Sequence, residues 1–309
     1  MFSLTTRLLA DGPTACLQTA DACYPIAAAA HQLGLAPLSA SMADLFQDWS
    51  ASLETLKQIA AAEDRLAALA VPATAPTAAP LRYPGKVLCA GANYYDHLEE
   101  MQVPDARNKA AQRLFFFFKP PRQAVVGVGA NVHIPLGCQS FDWEVELAVV
   151  IGRTARNIGP EAWREVVAAY CVAIDFSARD LNRAPDTFYK FDWVAGKAHD
   201  TCCPLGPLVP ADFVPDPHQL DIGLDVNGEV KQAANTSGMI FDIGEQLATL
   251  SRIMTLEPGD VVLTGTPAGV GAAKKTFLSA GDKVTAHIAL LGSLPVHIQA
   301  PLAPATVLP

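Results

Sequence analysis

The chain has 309 residues, half of them hydrophobic and 17% charged, which is the composition of a globular protein with a sizeable core. Its formal net charge of −9, without a Lys/Arg cluster, argues against general nucleic-acid binding. No apolar run approaches the roughly 18 residues of a membrane span, and the N-terminal stretch, with Arg7 and Asp11, makes a poor signal peptide. Seven scattered cysteines match neither a disulfide framework nor a zinc site, which favours reduced thiols in a cytoplasmic protein.

Residues 1–70 are predicted to form a small N-terminal α/β unit. Short β-type runs flank an Ala-Asp-Gly turn, and Ala-rich helical stretches follow them. The stretch 50–70 carries apolar residues at helical spacing and predicts one amphipathic helix. Residues 71–81 are rich in Pro, Ala and Thr and predict a linker, so that 82–309 would form a second domain.

A candidate acid–base pair follows the short predicted strand KVLCAG. The stretch NYYDHLEE predicts a helix in which His97 and Glu100 share one face. A carboxylate in that position can orient the imidazole and raise its basicity, so the pair could take a proton from water. The alternative is a solvated helix with an incidental histidine. The polar stretch that ends near Arg113 predicts an exposed excursion and a candidate lid.

Two glutamates lie two residues apart in the apolar run FDWEVELAVVIG. A strand places Glu144 and Glu146 on the same face. Because two buried ionised carboxylates repel each other, they need a proton or a cation between them. Asp175 ends a second apolar run, CVAIDF, after a predicted helix, PEAWREVVAAY, and offers a third oxygen ligand. Carboxylates alone favour Mg²⁺ or Mn²⁺ over zinc. The alternative is an edge or bulged strand that exposes one glutamate.

Further polar residues follow the second apolar run. Lys197 stands in a Gly-Lys loop, where it is either a partner for a substrate carboxylate or enolate or a surface lysine. Arg179 and Asp180 are interpreted as a structural ion pair. The aromatic run LFFFFKPP predicts a core strand with one ring available to a pocket.

The last third of the chain is predicted to be mainly β. LDIGLDVNGEVKQAA predicts a hairpin that turns at Asn227-Gly228, IGEQLATLSRIMTL predicts a helix, and GDKVTAHIALLGSLPVHIQ predicts two closing strands. The loop after GDVVLTG lacks the ending of a nucleotide P-loop. Backbone N–H groups at Gly265, beside Thr266, could hold a substrate carboxylate, and a plain β-turn is the alternative.

In this order, the motifs NYYDHLEE, FFKPP, EVELAVVIG, AIDFSARD, GKAHDTCCPLGP and LTGTPAGVG resemble the fumarylacetoacetate hydrolase family. The resemblance implies an α+β, mainly β fold with a mixed β-roll catalytic domain over 82–309, and a homodimer. It also implies Glu144, Glu146 and Asp175 as metal ligands, His97 and Glu100 as a water-activating dyad, and Lys197, Thr201 and Thr266 as ligand-binding residues. We further predict Lys197 as a third catalytic group, and Gly265 and Asn182 as substrate-binding residues beside Thr201 and Thr266.

Two features differ from the family pattern. Asn182 stands where the family often has Gln, and its shorter side chain would not reach the same substrate atom. The stretch between Asp180 and Lys197 is longer than usual and adds three aromatic residues, Phe188, Tyr189 and Phe191. Both differences lie where substrate specificity is expected to be set.

The resulting hypothesis is metal-dependent hydrolysis of a carbon–carbon bond in a 3-acylpyruvate, a 2,4-diketo acid such as fumarylpyruvate or acetylpyruvate. The products would be pyruvate and a carboxylic acid, and the setting would be aromatic catabolism. Decarboxylation of an oxaloacetate-type 2-oxo acid, or isomerisation, is the alternative within the family. A non-catalytic metal-binding β protein is the alternative of another class. The expected partner is a small 2-oxo or 2,4-diketo acid, with Mg²⁺ or Mn²⁺ as cofactor.

Overall fold

The computed structural model describes residues 1–72 and 75–302. Its helices are α1 (Ile26–Leu33), α2 (Met42–Leu45), α3 (Trp49–Ala61), α4 (Tyr95–Glu100), α5 (Trp163–Val166), α6 (Arg179–Asn182), α7 (Trp193–Lys197), α8 (Ile243–Ile253) and α9 (Gly271–Lys274). Its strands are β1 (Ser3–Leu9), β2 (Gly12–Gln18), β3 (Cys23–Pro25), β4 (Thr77–Ala78), β5 (Val87–Ala90), β6 (Phe116–Phe118), β7 (Val125–Val126), β8 (Asn131–His133), β9 (Phe141–Asp142), β10 (Val145–Ile151), β11 (Val167–Ile174), β12 (Ser177–Ala178), β13 (Arg183–Ala184), β14 (Lys190–Phe191), β15 (Cys203–Pro204), β16 (Val209–Pro210), β17 (Asp221–Val226), β18 (Glu229–Asn235), β19 (Val261–Leu263), β20 (Lys283–Ile288) and β21 (Gly292–Gln299).

The N-terminal unit is a four-stranded sheet, in the order β3-β2-β1-β4, with helices packed beside it. Helix α3 begins at an Asp48 cap and ends at Ala61, and short 3₁₀ turns replace the rest of the single helix predicted over 50–70. One reason is that the Glu63 carboxylate accepts a hydrogen bond from the Thr19 hydroxyl at 2.6 Å, which bonds this segment to the turn after β2.

Strand β4 lies inside the segment predicted as a linker and pairs with β1, with Thr6 opposite Ala78. Residues 73 and 74 of that segment, and the tail 303–309 of the predicted second domain, lie outside the described residues. The division into 1–70, 71–81 and 82–309 stays a prediction.

The centre of the molecule is a six-stranded sheet in the order β16-β11-β10-β19-β5-β6. Strand β10 is buried along its whole length, and its residues alternate between two cores. Val145, Leu147 and Val149 belong to the core shared with the five-stranded sheet β18-β17-β20-β21-β8. Ala148 and Val150 belong to a second core that continues into the N-terminal unit. The mainly β fold is confirmed.

Several predicted elements after residue 200 are confirmed. Strands β17 and β18 form the predicted hairpin, and Asn227 and Gly228 both have positive φ, at 54° and 82°, as a type I′ turn requires. Helix α8 carries a capping box in which Asp242 and Glu245 each accept from the other's backbone N–H. Strands β20 and β21 are the two closing strands.

The helix predicted over PEAWREVVAAY is wrong in its second half. Only the short α5 forms after a 3₁₀ turn, and strand β11 begins at Val167. The β-branched and aromatic residues of VVAAYCVAI favour a strand, and pairing with β10 stabilises it over its full length.

Candidate active site

Three buried carboxylates meet at one end of the central sheet. Glu146 lies on β10 opposite Ala173 of β11, and Glu144 shares its face because it is two residues away. Asp175 follows β11 directly, and its backbone N–H donates to the Glu144 carbonyl at 2.8 Å. The three side chains each offer an oxygen within 4.8 Å of the others. The structure therefore brings the predicted ligand set together.

Two of these carboxylates are bonded to cations, namely the buried Lys119 and Lys197 and the partly buried Arg179. Lys197 donates to Glu144 at 2.5 Å and to Asp175 at 2.7 Å, and Lys119 donates to Asp175 at 2.5 Å. Arg179 donates to Glu144 at 2.6 Å. Burial alone would raise the pKa of the Glu144 carboxyl, but the charges of Arg179 and Lys197 outweigh it and hold that pKa well below its usual value. Glu144 is thus ionised.

Glu146 differs because no described cation bonds it. Among the residues that the structure describes, its carboxylate accepts a hydrogen bond only from the backbone N–H of Gly265, at 2.5 Å. Burial, reinforced by the charges of Asp175 and Glu144, raises the pKa of Glu146 well above its usual value. A buried carboxylate beside two others needs further positive charge, and an all-oxygen set suits a hard divalent ion. These residues fit Mg²⁺ or Mn²⁺.

The His97–Glu100 pair forms as predicted on helix α4. Glu100 Oε1 lies 2.8 Å from His97 Nδ1, and its Oε2 accepts the backbone N–H of Gly269 at 2.9 Å. His97 is 7% exposed. Because Nδ1 faces a carboxylate, the proton of a neutral imidazole resides there, which leaves Nε2 as an acceptor.

A cavity of about 110 Å³ joins the dyad to the three carboxylates. Its lining combines charged groups with aromatic rings and small residues: Ala90, Gly91, Ala92, His97, Phe115, Phe117, Glu144, Glu146, Asp175, Arg179, Trp193, Lys197 and Thr266. Lys197 Nζ lies 4.9 Å from the centroid of the Phe117 ring, above its face. The lysine is therefore held between carboxylates and an aromatic ring.

The predicted substrate-binding residues are placed differently from one another. Thr266 lines the cavity, and its hydroxyl accepts a hydrogen bond from the Gln232 side-chain amide at 2.9 Å. The backbone N–H of Gly265 donates a hydrogen bond to Glu146, and Gly265 does not line the cavity. Asn182 and Thr201 also lie outside the lining. The Asn182 amide donates to the Asp192 carbonyl at 3.1 Å, and the Thr201 hydroxyl accepts the backbone N–H of His133 at 3.0 Å.

The interpretation of Arg179 as the partner of Asp180 is wrong. Arg179 donates to Asp142 at 2.8 Å as well as to Glu144, whereas Asp180 accepts backbone N–H groups of Gln139 and Ser140. Burial raises the pKa of Asp142, and the charge of Arg179 opposes that shift. The guanidinium therefore belongs to the site.

Sequence reasoning also missed Lys119 and Asp142. A signal existed for both, because alternate residues of a strand share a face. Asp142 precedes Glu144 by two residues, and Lys119 follows the cavity-lining Phe115 and Phe117 at the same spacing.

The model of the fumarylacetoacetate hydrolase C-terminal family matches residues 86–299. The chain belongs to the fumarylacetoacetate hydrolase family. Its fold is therefore the one that the sequence motifs implied.

Three proteins similar to this chain illustrate the activities of its relatives. Oxaloacetate tautomerase FAHD2A, mitochondrial, of Bos taurus is 44% identical over 217 residues, which cover 69% of this chain and 66% of that protein. The structure of fumarylpyruvate hydrolase from Pseudomonas aeruginosa in complex with Mn²⁺ and pyruvate is 33% identical, with a TM-score of 0.64 over 74% of this chain and 94% of that one. The structure of maleylpyruvate hydrolase from Sphingobium sp. SYK-6 with manganese(II) and pyruvate is 29% identical, with a TM-score of 0.72 over 98% and 100%.

The match thus spans just under two thirds of the length of the tautomerase. Relatives of this family member include hydrolases, isomerases and tautomerases. Within the described residues, no helix is both long and apolar enough to cross a membrane.

Proposed function

We propose that this protein hydrolyses a carbon–carbon bond in a 3-acylpyruvate with the help of a divalent metal ion. The observation that carries the proposal is a single cavity lined by both a carboxylate-oriented imidazole and a three-carboxylate set. The imidazole can activate water, and the carboxylates can hold the ion that binds a 2-oxo acid. The solved hydrolase structures that contain Mn²⁺ and pyruvate support this proposal by similarity.

Glu144, Glu146 and Asp175 would hold Mg²⁺ or Mn²⁺. When bound, the ion would supply positive charge that attracts the 2-oxo carboxylate end of the substrate and withdraws electron density from it. His97 accepts a proton from water at Nε2 while Glu100 holds the opposite side of the ring.

The water oxygen then bonds to the C4 carbonyl carbon. As the C3–C4 bond breaks, its electron pair passes to C3 and the pyruvate enolate, and C3 takes up a proton. The ammonium of Lys197 lies in the same cavity and stabilises the negative charge that develops on the substrate oxygens.

Isotope analysis tests this reaction directly. Acetylpyruvate incubated with the protein and Mg²⁺ in ¹⁸O-labelled water is expected to give acetate with one ¹⁸O atom from solvent and an equal amount of pyruvate. Release of CO₂, or an isomer of unchanged mass, would refute hydrolysis and support the decarboxylase or isomerase alternative.

Keto–enol tautomerisation of oxaloacetate is the second candidate. It is favoured by the 44% identity to a protein named oxaloacetate tautomerase. The same dyad could move a proton between carbon and oxygen without water attack. Faster decay of enol oxaloacetate, with neither carbon–carbon cleavage nor CO₂ release, would support this candidate. A metal-loaded protein inert towards every such acid would instead support the non-catalytic alternative.

A homodimer, a cytoplasmic location and a role in aromatic catabolism also belong to the proposal. They rest on the family resemblance and on the abundance of free thiols, all seven cysteines being unpaired. Sedimentation of the purified chain tests the dimer, because a monomer at micromolar concentration would contradict it.

A further inference from the structure

An aromatic wall, defined as Phe115, Phe117 and Trp193, lines the cavity beside its charged groups. The ring of Trp193 stacks on Phe117 with centroids 5.1 Å apart and planes at 19°, and it lies 5.4 Å from Phe115. Phe117 is 9% exposed, whereas Phe115 and Trp193 are 40% and 39% exposed. The wall thus extends from the interior to the mouth of the cavity.

The backbone makes room for this wall. A Cβ atom on Gly91 would lie 2.0 Å from the tip of the Phe115 ring, so the ring can pack against the chain only because residue 91 has no side chain. Phe191, on the β13–β14 hairpin, adds a further ring 6.2 Å from Trp193. The longer stretch between Asp180 and Lys197 therefore packs an additional ring against the outer side of the wall.

The cations that line the cavity are already bonded to carboxylates. Arg179 holds Asp142 and Glu144, and Lys197 holds Glu144 and Asp175. The negative charge of the substrate's 2-oxo carboxylate offsets part of the positive charge of a divalent ion. Among the described residues, Lys197 lies over Phe117, and no cation lies over Phe115 or Trp193. A second carboxylate at the other end of the substrate would therefore be partly desolvated beside these two rings without a cation partner, which is costly.

We infer that the acyl group of the substrate is uncharged and apolar, such as a methyl or an aryl group, and that Trp193 is the residue that selects it. This inference rests on the proposed function, which it narrows to neutral 3-acylpyruvates. It disfavours two dianions, fumarylpyruvate and oxaloacetate. An aryl group would pack on the face of Trp193 in the offset or edge-on geometry of aromatic pairs.

Binding measurements test the inference without requiring turnover. In the presence of Mg²⁺, calorimetry should show that the full chain binds phenylpyruvate at least about tenfold more tightly than 2-oxoglutarate, whose far end is charged. Trp193→Ala should weaken phenylpyruvate binding by about tenfold or more and leave 2-oxoglutarate unchanged. Phe188→Ala is the matched control, because this ring is 95% exposed and does not line the cavity.

Equal binding of the two acids, or equal losses for both in Trp193→Ala, would overturn the inference. Because Trp193 packs on Phe117 and Phe115, Trp193→Ala is expected to melt below the parent while remaining folded at the temperature of the binding measurement, and a melting curve excludes misfolding as the cause.

Turnover gives a second, distinguishable result. Benzoylpyruvate should have a higher kcat/KM than fumarylpyruvate, and Trp193→Arg, which places a cation on the wall, should reverse that order. Preference for fumarylpyruvate in the parent would overturn the inference while leaving the proposed hydrolysis intact. If neither compound reacts and acetylpyruvate is not cleaved either, the proposed hydrolysis fails, and the binding ratio still decides the inference.

Discussion

Glu146 makes metal binding depend on pH. Burial and the neighbouring Asp175 and Glu144 raise the pKa of Glu146 above its ordinary value of 4.5, so the metal-free folded chain keeps this carboxyl protonated into a higher pH range than the unfolded chain does. That contribution to stability is complete below the ordinary pKa and is lost as pH rises towards the folded pKa. A divalent ion needs the ionised form, so its affinity rises over the same range.

The magnitude follows from one released proton. Below the folded pKa of Glu146, each pH unit changes the apparent metal affinity tenfold, or about 1.4 kcal/mol of binding free energy. Unfolding entropy of about 2.1 cal/mol/K per residue gives roughly 0.65 kcal/mol/K for this chain. The increase in melting temperature caused by a fixed excess of Mg²⁺ should therefore grow by about 2 °C per pH unit.

Thermal denaturation with Mg²⁺ and with EDTA, at several values between about pH 5 and 8, measures this slope. The control is Glu146→Gln, which removes both the titrating proton and one ligand and should give a small, pH-independent increase. A pH-independent increase in the parent would refute the assignment of Glu146. A slope near 4 °C per unit would mean that a second proton is released, contrary to the low pKa of Glu144.

Three further substitutions test separate parts of the site. His97→Ala should lower kcat by about 10²–10⁴ while the calorimetric Mg²⁺ affinity stays unchanged, and near-parental turnover would remove the dyad from the mechanism. Lys119→Met removes one of the two buried lysines that bond Asp175, leaving Lys197, and should cost about 1–3 kcal/mol of unfolding free energy by urea denaturation, whereas a loss below about 0.5 kcal/mol would contradict the Lys119–Asp175 pairing. Gly265→Val places a side chain on a backbone at φ 101°, where its Cβ would clash with Asn93. The hydrogen bond from the Gly265 N–H to Glu146 should therefore be disturbed, and Mg²⁺ affinity should fall at least about tenfold. An unchanged affinity would show that this hydrogen bond does not position the ligand.

The carboxylate triad could be predicted from the sequence because its geometry is local or nearly so. The two-residue spacing of Glu144 and Glu146 fixes their common face, and Asp175 directly follows β11, the strand that pairs with β10. The His97–Glu100 contact is equally local, since one helical turn brings the two together.

The charge partners could not be predicted in the same way, because chain folding brings them together over long separations. Lys119 and Asp175 are 56 residues apart in sequence, and Arg179 reaches back 37 residues to Asp142. A neighbour such as Asp180 is the simpler partner for Arg179 on sequence grounds, but it is occupied by backbone N–H groups. Tertiary contacts also decide that residues after Val166 form a strand.

Carbon–carbon hydrolysis by a bound metal ion is the central claim, and the ultraviolet absorbance of an enolised 2,4-diketo acid measures it most directly. Acetylpyruvate mixed with the purified protein and Mg²⁺ should lose this absorbance while pyruvate appears in equal amount, and EDTA should stop both changes. Absorbance that persists with metal present, or that falls without pyruvate, would contradict hydrolysis, and CO₂ release from oxaloacetate would then be the reaction to measure.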